Sequence, residues 1–279
     1  MTSAFPAPDL SDAALAGVTA EIAATAGEYD RTAALPWAGL EVAHRAGLLT
    51  ATVGTRFGGP GAGARQAARI LTAIGEGDAS VGLLAANLLG THAGQAANPT
   101  WPAAYYADLL RRSHDGPALA NAVRAEPELG APARGGLPRT TVTRTDDGWV
   151  LNGHKAYATG GTGLAYHVVW AADGDRVGHV VVPGDLPGIS WKDTWDHLGL
   201  RASNTHDVIY EDVRLPAGAF TEIPRGADGV YRDPAAATGP GSFGHPALYL
   251  GVARAARSAF AAFARTRVPA ALGRPIAQT

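Results

Sequence analysis

The chain has 279 residues, enough for one large domain or two to three small ones, and its 23 basic and 25 acidic residues give a net charge of −2. The charges form no basic block, which argues against nucleic acid or an anionic membrane surface as a partner. There is no cysteine, no uncharged run of 18 apolar residues and no basic leader, so we expect a cytoplasmic protein without disulfides, thiolate chemistry, Cys-bound metal or membrane spans.

Helical periodicity dominates the first 117 residues. Apolar positions recur at helical spacing in five segments, and either Ser11 or Asp12 can cap the first helix, while Asp78 or Ser80 can cap the fourth. We therefore predict an N-terminal helical bundle over residues 1–117. The predicted helices cover residues 10–29, 37–49, 65–74, about 80–89 and 102–112.

The pattern changes to short alternating segments over residues 118–225. Turn signals separate these segments at residues 146–148, 152–153 and 173–175, and Asn152-Gly153 is typical of a two-residue hairpin. We predict an antiparallel β-domain that closes into a small barrel or sandwich. The predicted strands cover residues 140–145, 149–151, 154–159, 167–172, 177–182 and 207–215.

Helical periodicity returns at residues 248–265, after a connection rich in glycine and proline. A lone amphipathic helix needs further helices to cover its apolar face. Residues 226–279 are therefore predicted to be a linker and the start of a C-terminal helical bundle. The predicted fold class is α+β with several domains.

Common catalytic and cofactor motifs are absent or out of context. Residues 59–64 (GPGAGA) fit a dinucleotide fingerprint, but Glu76 and Asp78, the acidic residues downstream, fall among helices rather than at a strand end. We interpret this segment as a glycine-rich loop between helices. The nine histidines show no metal-ligand spacing, and no Gly-x-Ser-x-Gly elbow or phosphate-binding loop occurs. We predict no metal site.

The segment at residues 154–159 suggests a ligand-facing strand. A period of two places Lys155, Tyr157 and Thr159 on one face, where an aromatic ring and a hydroxyl could meet a planar ligand. Alternatively, Tyr157 packs across the sheet and Thr159 is simply a good β-former. From the spacing alone, the packing interpretation is favoured.

Several segments together resemble the acyl-CoA dehydrogenase family of flavoproteins, and their order and spacing match the family's over nearly the whole chain. The resemblance implies a helical domain, a β-domain and a four-helix C-terminal domain, with FAD between the last two. Only the first helix of that last domain is expected here. The segments are FGGPGAG (57–63), AIGEGDASVG (73–82), AEPELG (125–130), GWVLNGHKAYATGG (148–161) and LGLRASNTHDVIYEDVRLP (198–216).

The resemblance also implies which residues bind the flavin. The family's segment matching residues 122–131 runs beside the flavin ring and pyrophosphate. The family's counterpart of Tyr157 packs an aromatic ring on the flavin, and that of Thr159 hydrogen-bonds near flavin N5. The expected cofactor-binding residues are Ala122, Val123, Arg124, Ala125, Gly130, Ala131, Tyr157, Ala158 and Thr159.

Departures from the family pattern keep three functions open. Ala125 and Ala131 replace the usual hydroxyl residues, and Tyr157 replaces the usual tryptophan, as in a branch that includes monooxygenases dependent on FMNH2 or FADH2. A dehydrogenase also needs a carboxylate to remove the α-proton. The family's alternative position for that base matches residues 241–243, Gly-Ser-Phe, so no catalytic residue is named.

The first hypothesis is an FAD-dependent acyl-CoA dehydrogenase-like oxidoreductase, represented by a shortened chain, with an acyl-CoA thioester as substrate. The second is a monooxygenase of the same fold that uses FMN or FAD supplied by a flavin reductase. The third is a catalytically inactive flavin-fold protein. The resemblance implies a homo-oligomer, and the sequence does not identify the substrate.

Overall fold

The structure is a computed structural model that describes residues 4–128, 137–224, 226, 231 and 241–278, without the side chains of 241–243. In the helical part, it confirms the five predicted helices. Ser11 caps the first helix, and the Asp78 carboxylate caps the fourth by accepting from Ser80 N at 2.6 Å. The helices are α1 (Asp12–Thr32), α2 (Trp37–Arg45), α3 (Ala64–Gly77), α4 (Ala79–Ala97) and α5 (Ala103–Asp115).

The second helix is shorter than predicted. Gly47 has a φ of 70°, a left-handed conformation that ends helices, and the Leu48 N–H returns to Ala43 O at 3.0 Å. The apolar residues that follow are buried in turns. Residues 46–49 therefore continue the apolar spacing of the helix because they are buried, although they are not helical.

The β-part is one mixed, sandwich-like sheet that does not close into a barrel. Its path runs β6-β7-β3-β2-β4-β5-β8, and β1 pairs with β4. Most pairs are antiparallel, as predicted, but β1 and β2 both run parallel to β4. The strands are β1 (Leu119–Val123), β2 (Thr141–Thr145), β3 (Gly148–Ala158), β4 (Leu164–Asp173), β5 (Arg176–Pro183), β6 (Ile189–Lys192), β7 (His206–Pro216) and β8 (Phe220–Glu222).

Two of the three predicted turns join antiparallel neighbours, at residues 146–147 and 174–175. The hairpin predicted at Asn152-Gly153 is wrong, because β3 continues through it. Asn152 instead faces a bulge in β7, where its side chain accepts from Asp212 N at 2.8 Å and donates to Asp212 Oδ1 at 3.1 Å. A Cβ on Gly153 would lie 2.5 Å from Thr140 Oγ1. The Asn-Gly pair thus serves strand packing rather than a turn.

The predicted final helix is α6 (Gly241–Thr266), which begins seven residues before the prediction and packs on α3 and α4. The contact is close because glycines lie at the crossing: a Cβ on Gly251 would be 2.1 Å from Thr72 O. Thr72 also donates to Ala247 O at 3.0 Å. Most buried apolar residues of the helices and the sheet form one continuous core, and a small second cluster contains Trp170 and Val177. Among the helices of the described part, none is long and apolar enough to cross a membrane.

Candidate functional site

The two segments predicted to bind flavin lie side by side in the structure. Asn121 Nδ2 donates to Thr159 O at 3.0 Å, and Ala156 N donates to Ala125 O at 2.9 Å. Residues 121–126 therefore run along the end of β3. Gly130 and Ala131, also predicted to bind flavin, lie outside the described residues.

The predicted residues of these segments differ in what they expose. The Ala122 and Tyr157 side chains are exposed, the latter by 60%, while Thr159 is buried apart from 8% of its surface. This surface therefore presents the small Ala122 side chain, the aromatic ring of Tyr157 and, beside the ring, the Thr159 hydroxyl. Arg124 and Ala125 are half-buried, and Val123 and Ala158 are buried.

A β-bulge determines the direction of the Tyr157 ring. Lys155 pairs with Val208 and Ala158 with His206, so two residues of β3 oppose one residue of β7. Tyr157 has a φ of 57°, in the left-handed region. The bulge breaks the period of two, which makes the prediction of a shared face for Lys155, Tyr157 and Thr159 wrong.

The Tyr157 ring is not a buried packing group of the sheet. Its closest described aromatic neighbour is Trp195, which it meets edge to face at a centroid distance of 6.5 Å. The Trp195 indole is fixed by a hydrogen bond from Nε1 to Leu200 O at 3.0 Å. An exposed ring held in this way can lie against a planar ligand.

Lys155 is fully buried and fastens residues 124–126 to β3. Its Nζ donates to Glu126 Oε1 at 2.8 Å and to Arg124 O at 3.3 Å. The Glu126 carboxylate also accepts from Arg139 N at 2.8 Å and Thr140 N at 2.9 Å. Both residues stand in the motifs quoted above, but no local signal in the sequence connects them.

Burial and hydrogen bonding act in opposite directions on this pair. Burial lowers the pKa of Lys155 to about 8, against the attraction of Glu126. Burial by itself would raise the pKa of Glu126, but hydrogen bonds from Lys155 and from two backbone N–H groups outweigh it and hold that pKa below its usual value. Each partner thus favours the charged form of the other, and the pair is structural in role.

Behind Thr159, two further hydroxyls complete a row. Thr205 Oγ1 donates to Thr159 Oγ1 at 3.0 Å, and Ser203 Oγ lies 2.7 Å from Thr205 Oγ1. Sequence reasoning missed Ser203 and Thr205, although both stand in the quoted segment 198–216. Their contact depends on how the 3-10 turn at Arg201–Ser203 folds, which the local pattern does not encode.

The arrangement suits the ring of a flavin. An isoalloxazine needs a flat apolar neighbour and hydrogen-bond partners at its polar edge. Tyr157 provides an exposed ring, Thr159 a hydroxyl, and Ala122 leaves the adjacent strand surface open.

Acidic side chains around this surface are already engaged. Glu126 forms an ion pair with Lys155, and Asp207 Oδ2 lies within hydrogen-bonding distance of His154 Nε2, at 2.7 Å. Helix α6 contains no Asp or Glu in its 26 residues. Within the described part of the chain, no group of three or more His, Asp or Glu side chains could hold a metal ion.

Two family models match most of the chain. Residues 8–105 match the acyl-CoA dehydrogenase N-terminal domain, and residues 122–213 match the acyl-CoA dehydrogenase middle domain.

Relatives of known sequence fall into two groups. YdbM of Bacillus subtilis (strain 168), assigned as an acyl-CoA dehydrogenase, is 30% identical over 259 residues, covering 92% of this chain and 66% of YdbM. L-evernosamine nitrososynthase of a Micromonospora species is 32% identical over 269 residues, covering 91% of this chain and 61% of that enzyme. The chain thus spans about three fifths to two thirds of the length of these relatives.

Solved structures show the same two groups. KijD3 in complex with FMN and a dTDP-linked amino keto sugar superposes with a TM-score of 0.73 at 26% identity, covering 97% of this chain and 69% of KijD3. Glutaryl-CoA dehydrogenase from Mycobacterium smegmatis, in complex with FADH2, superposes with a TM-score of 0.77 at 23% identity, with the same coverages, and shares the fold. The chain belongs to the acyl-CoA dehydrogenase family, a family of flavin-dependent oxidoreductases.

Proposed function

We propose that this protein is a flavin-dependent oxidoreductase that holds the isoalloxazine ring against Tyr157 and Thr159. One observation carries the proposal: a bulge presents an exposed aromatic ring two residues from a nearly buried hydroxyl. FAD is the first candidate cofactor and FMN the alternative, since the similar proteins bind one or the other.

Each residue at this surface has a distinct task in the proposal. When bound, the flavin supplies a two-electron acceptor or donor. The Tyr157 ring covers one face and excludes water, while the Thr159 hydroxyl provides a hydrogen bond at the N5 edge. Backbone groups of residues 122–125 line the adjacent edge, held in place by the ion pair of Lys155 and Glu126.

The first candidate reaction is α,β-dehydrogenation of an acyl-CoA thioester. The similarity to YdbM over 92% of the chain supports it. The reaction needs a carboxylate to remove the α-proton while hydride leaves the β-carbon. We assign that role to no residue.

The second candidate reaction is oxygenation of a substrate with reduced flavin and dioxygen. It is favoured by tyrosine rather than tryptophan at position 157 and by the 32% identity to L-evernosamine nitrososynthase. A separate flavin reductase would deliver the reduced cofactor.

A flavin titration tests the shared part of both candidates. Adding the purified 279-residue chain to FAD or FMN is expected to change flavin fluorescence saturably and to raise the melting temperature of the chain. Tyr157→Ala should weaken binding about fivefold through lost aromatic contact. Phe260→Ala, which removes an equally exposed ring from α6, should not. If neither flavin changes fluorescence or melting temperature, both enzyme proposals fail and the inactive protein is left.

The two reactions can be distinguished by the oxidation state of the flavin that each one uses. Bleaching of the oxidised flavin by acyl-CoA thioesters without oxygen would indicate dehydrogenation. Substrate-dependent oxygen consumption only with a flavin reductase would indicate oxygenation. Self-association, which the resemblance implies, is measured separately by sedimentation velocity.

A further inference from the structure

Three hydroxyl groups, of Ser203, Thr205 and Thr159, form a continuous row that ends at the candidate flavin surface. We call it the hydroxyl row. Ser203 is fully buried, while Thr205 and Thr159 are exposed by 5% and 8%. The contacts between neighbouring oxygens are 2.7 Å and 3.0 Å. Ser203 and Thr205 thus depend on the row for their side-chain hydrogen bonds, while Thr159, the most exposed of the three, ends the row at the surface.

The backbone on both sides of the row is fixed. Gly160 N donates to Ser203 O at 3.0 Å, and Asn121 Nδ2 donates to Thr159 O at 3.0 Å. The first bond ties the end of β3 to the loop that carries Ser203 and Thr205, and the second ties it to β1. The hydroxyls can rotate their protons, but their oxygens hold their positions.

Counting protons gives the row a direction. Each hydroxyl donates one hydrogen bond. Within the described residues, Ser203 Oγ forms a hydrogen bond only with Thr205 Oγ1, so the Ser203 proton points to Thr205. The Thr205 proton then points to Thr159. The opposite direction would leave the buried Ser203 proton without an acceptor, which is costly.

We infer that Ser203 and Thr205 are positioning residues that commit the Thr159 proton to donation outward, to the flavin. The inference rests on the proposed function, because it takes N5 of the flavin as the acceptor. A hydrogen bond donated to N5 withdraws electron density from the atom that receives hydride. The row therefore acts on the reactive edge of the flavin without touching it.

The direction of the row can be measured without any flavin. Ser203→Ala, Thr205→Val and Thr159→Val each delete one hydroxyl with little change of shape. With the inferred direction, Ser203→Ala leaves every remaining proton with an acceptor, whereas Thr159→Val strands the Thr205 proton. Ser203→Ala should therefore lower the melting temperature of the flavin-free chain less than Thr159→Val does. The reverse order would overturn the inference.

The effect on the flavin is measured by the 15N resonance of N5 in labelled FAD or FMN bound to the chain. Thr205→Val should move this resonance in the same direction as Thr159→Val, because Thr159 then accepts no hydrogen bond and its hydroxyl becomes a weaker donor. Ser203→Ala should move it less, because Thr205 still donates to Thr159. Thr205→Ser should restore it. An N5 resonance unchanged in Thr205→Val, with flavin still bound, contradicts the inference but not the proposed function. Wild-type chain that binds no flavin contradicts the proposed function itself, while the melting-temperature order still reports the direction of the row.

Discussion

Lys155 lies inside the sheet, and not on the ligand-facing surface, because its own stretch of β3 keeps regular register with β7 and the bulge follows it. Its ammonium group replaces lost water with two acceptors, the Glu126 carboxylate and Arg124 O. A buried ion pair of this kind contributes little net stability when intact, but removing one partner leaves the other charge buried alone. The pair therefore fixes the position of residues 124–126 more than it stabilises the fold.

Lys155→Met should lower the free energy of unfolding by about 3 kcal/mol, because it strands the Glu126 carboxylate in the interior. Urea denaturation at pH 7 measures the change. The chain contains one other lysine, Lys192, whose side chain is exposed, and Lys192→Met should change stability by less than about 0.5 kcal/mol. Equal effects of the two substitutions would show that the ion pair does not hold this segment.

Helix α6 is fastened to α3 by backbone rather than by large side chains. A Cβ on Gly251 would lie 2.1 Å from Thr72 O and 2.5 Å from Glu76 N, and a Cβ on Gly75 would lie 2.5 Å from Leu248 O. Backbone atoms of a packed helix cannot rotate aside as a side chain can. Both glycines are thus required by the close approach of the two helices.

Gly251→Ala should destabilise the chain by about 2 kcal/mol, because the helices must separate to admit a methyl group. Gly17→Ala is the matched control: it lies within α1 with no heavy atom within 4 Å of the added Cβ. There, alanine should stabilise by about 0.5–1 kcal/mol through helix propensity. Thermal unfolding compares the stability of both variants with that of the wild-type chain. A Gly251→Ala variant more stable than wild type would contradict the close contact of the two helices.

Helices and tight turns were predictable from the sequence, because short-range patterns determine them. Periodicity located the helices, and the turns at residues 146–147 and 174–175 followed from short-range signals. Strand partners were less predictable, because β1 pairs parallel with β4 some 45 residues later, at Leu119 with Leu164, and no local pattern encodes a distant partner.

The residues of the candidate site were likewise only partly predictable from the sequence. Tyr157 and Thr159 were named through the family resemblance and are adjacent in the structure, but the side occupied by Lys155 was mispredicted because a bulge shifts the alternation by one residue. Ser203 and Thr205 carried no signal of their own. Their role depends on the hydrogen bond from Thr205 to Thr159, which joins residues 46 apart in the sequence. Ser203 reaches Thr159 only through Thr205.

At the scale of the whole molecule, two buried histidines couple stability to pH. His92 in α4 bonds Tyr106 OH at 3.1 Å, and His167 in β4 bonds Tyr210 OH at 2.8 Å. Burial lowers the pKa of His92 to about 3 and that of His167 to about 4. Both rings are therefore neutral in the folded chain over most of the acidic range.

The unfolded chain takes up protons on both rings below about pH 6.5, while the folded chain does not. The two histidines make their full contribution to the free energy of unfolding above that pH. This contribution falls as the pH decreases towards 4, by about 2 kcal/mol per histidine between pH 7 and 5. Urea denaturation at the two pH values measures the loss. His92→Gln should remove about half of it, because the buried His167 supplies the rest. A pH dependence that is not reduced in His92→Gln would contradict the neutral buried state of His92.

The left-handed backbone at Tyr157 has a consequence for selection. A non-glycine residue at a φ of 57° costs about 1 kcal/mol or more relative to glycine, and asparagine also tolerates the conformation better than tyrosine. Stability alone would therefore replace Tyr157 by glycine or asparagine and remove the ring. A computational thermostabilisation of this chain would be drawn to the same change, so position 157 should be held constant wherever activity is to be kept.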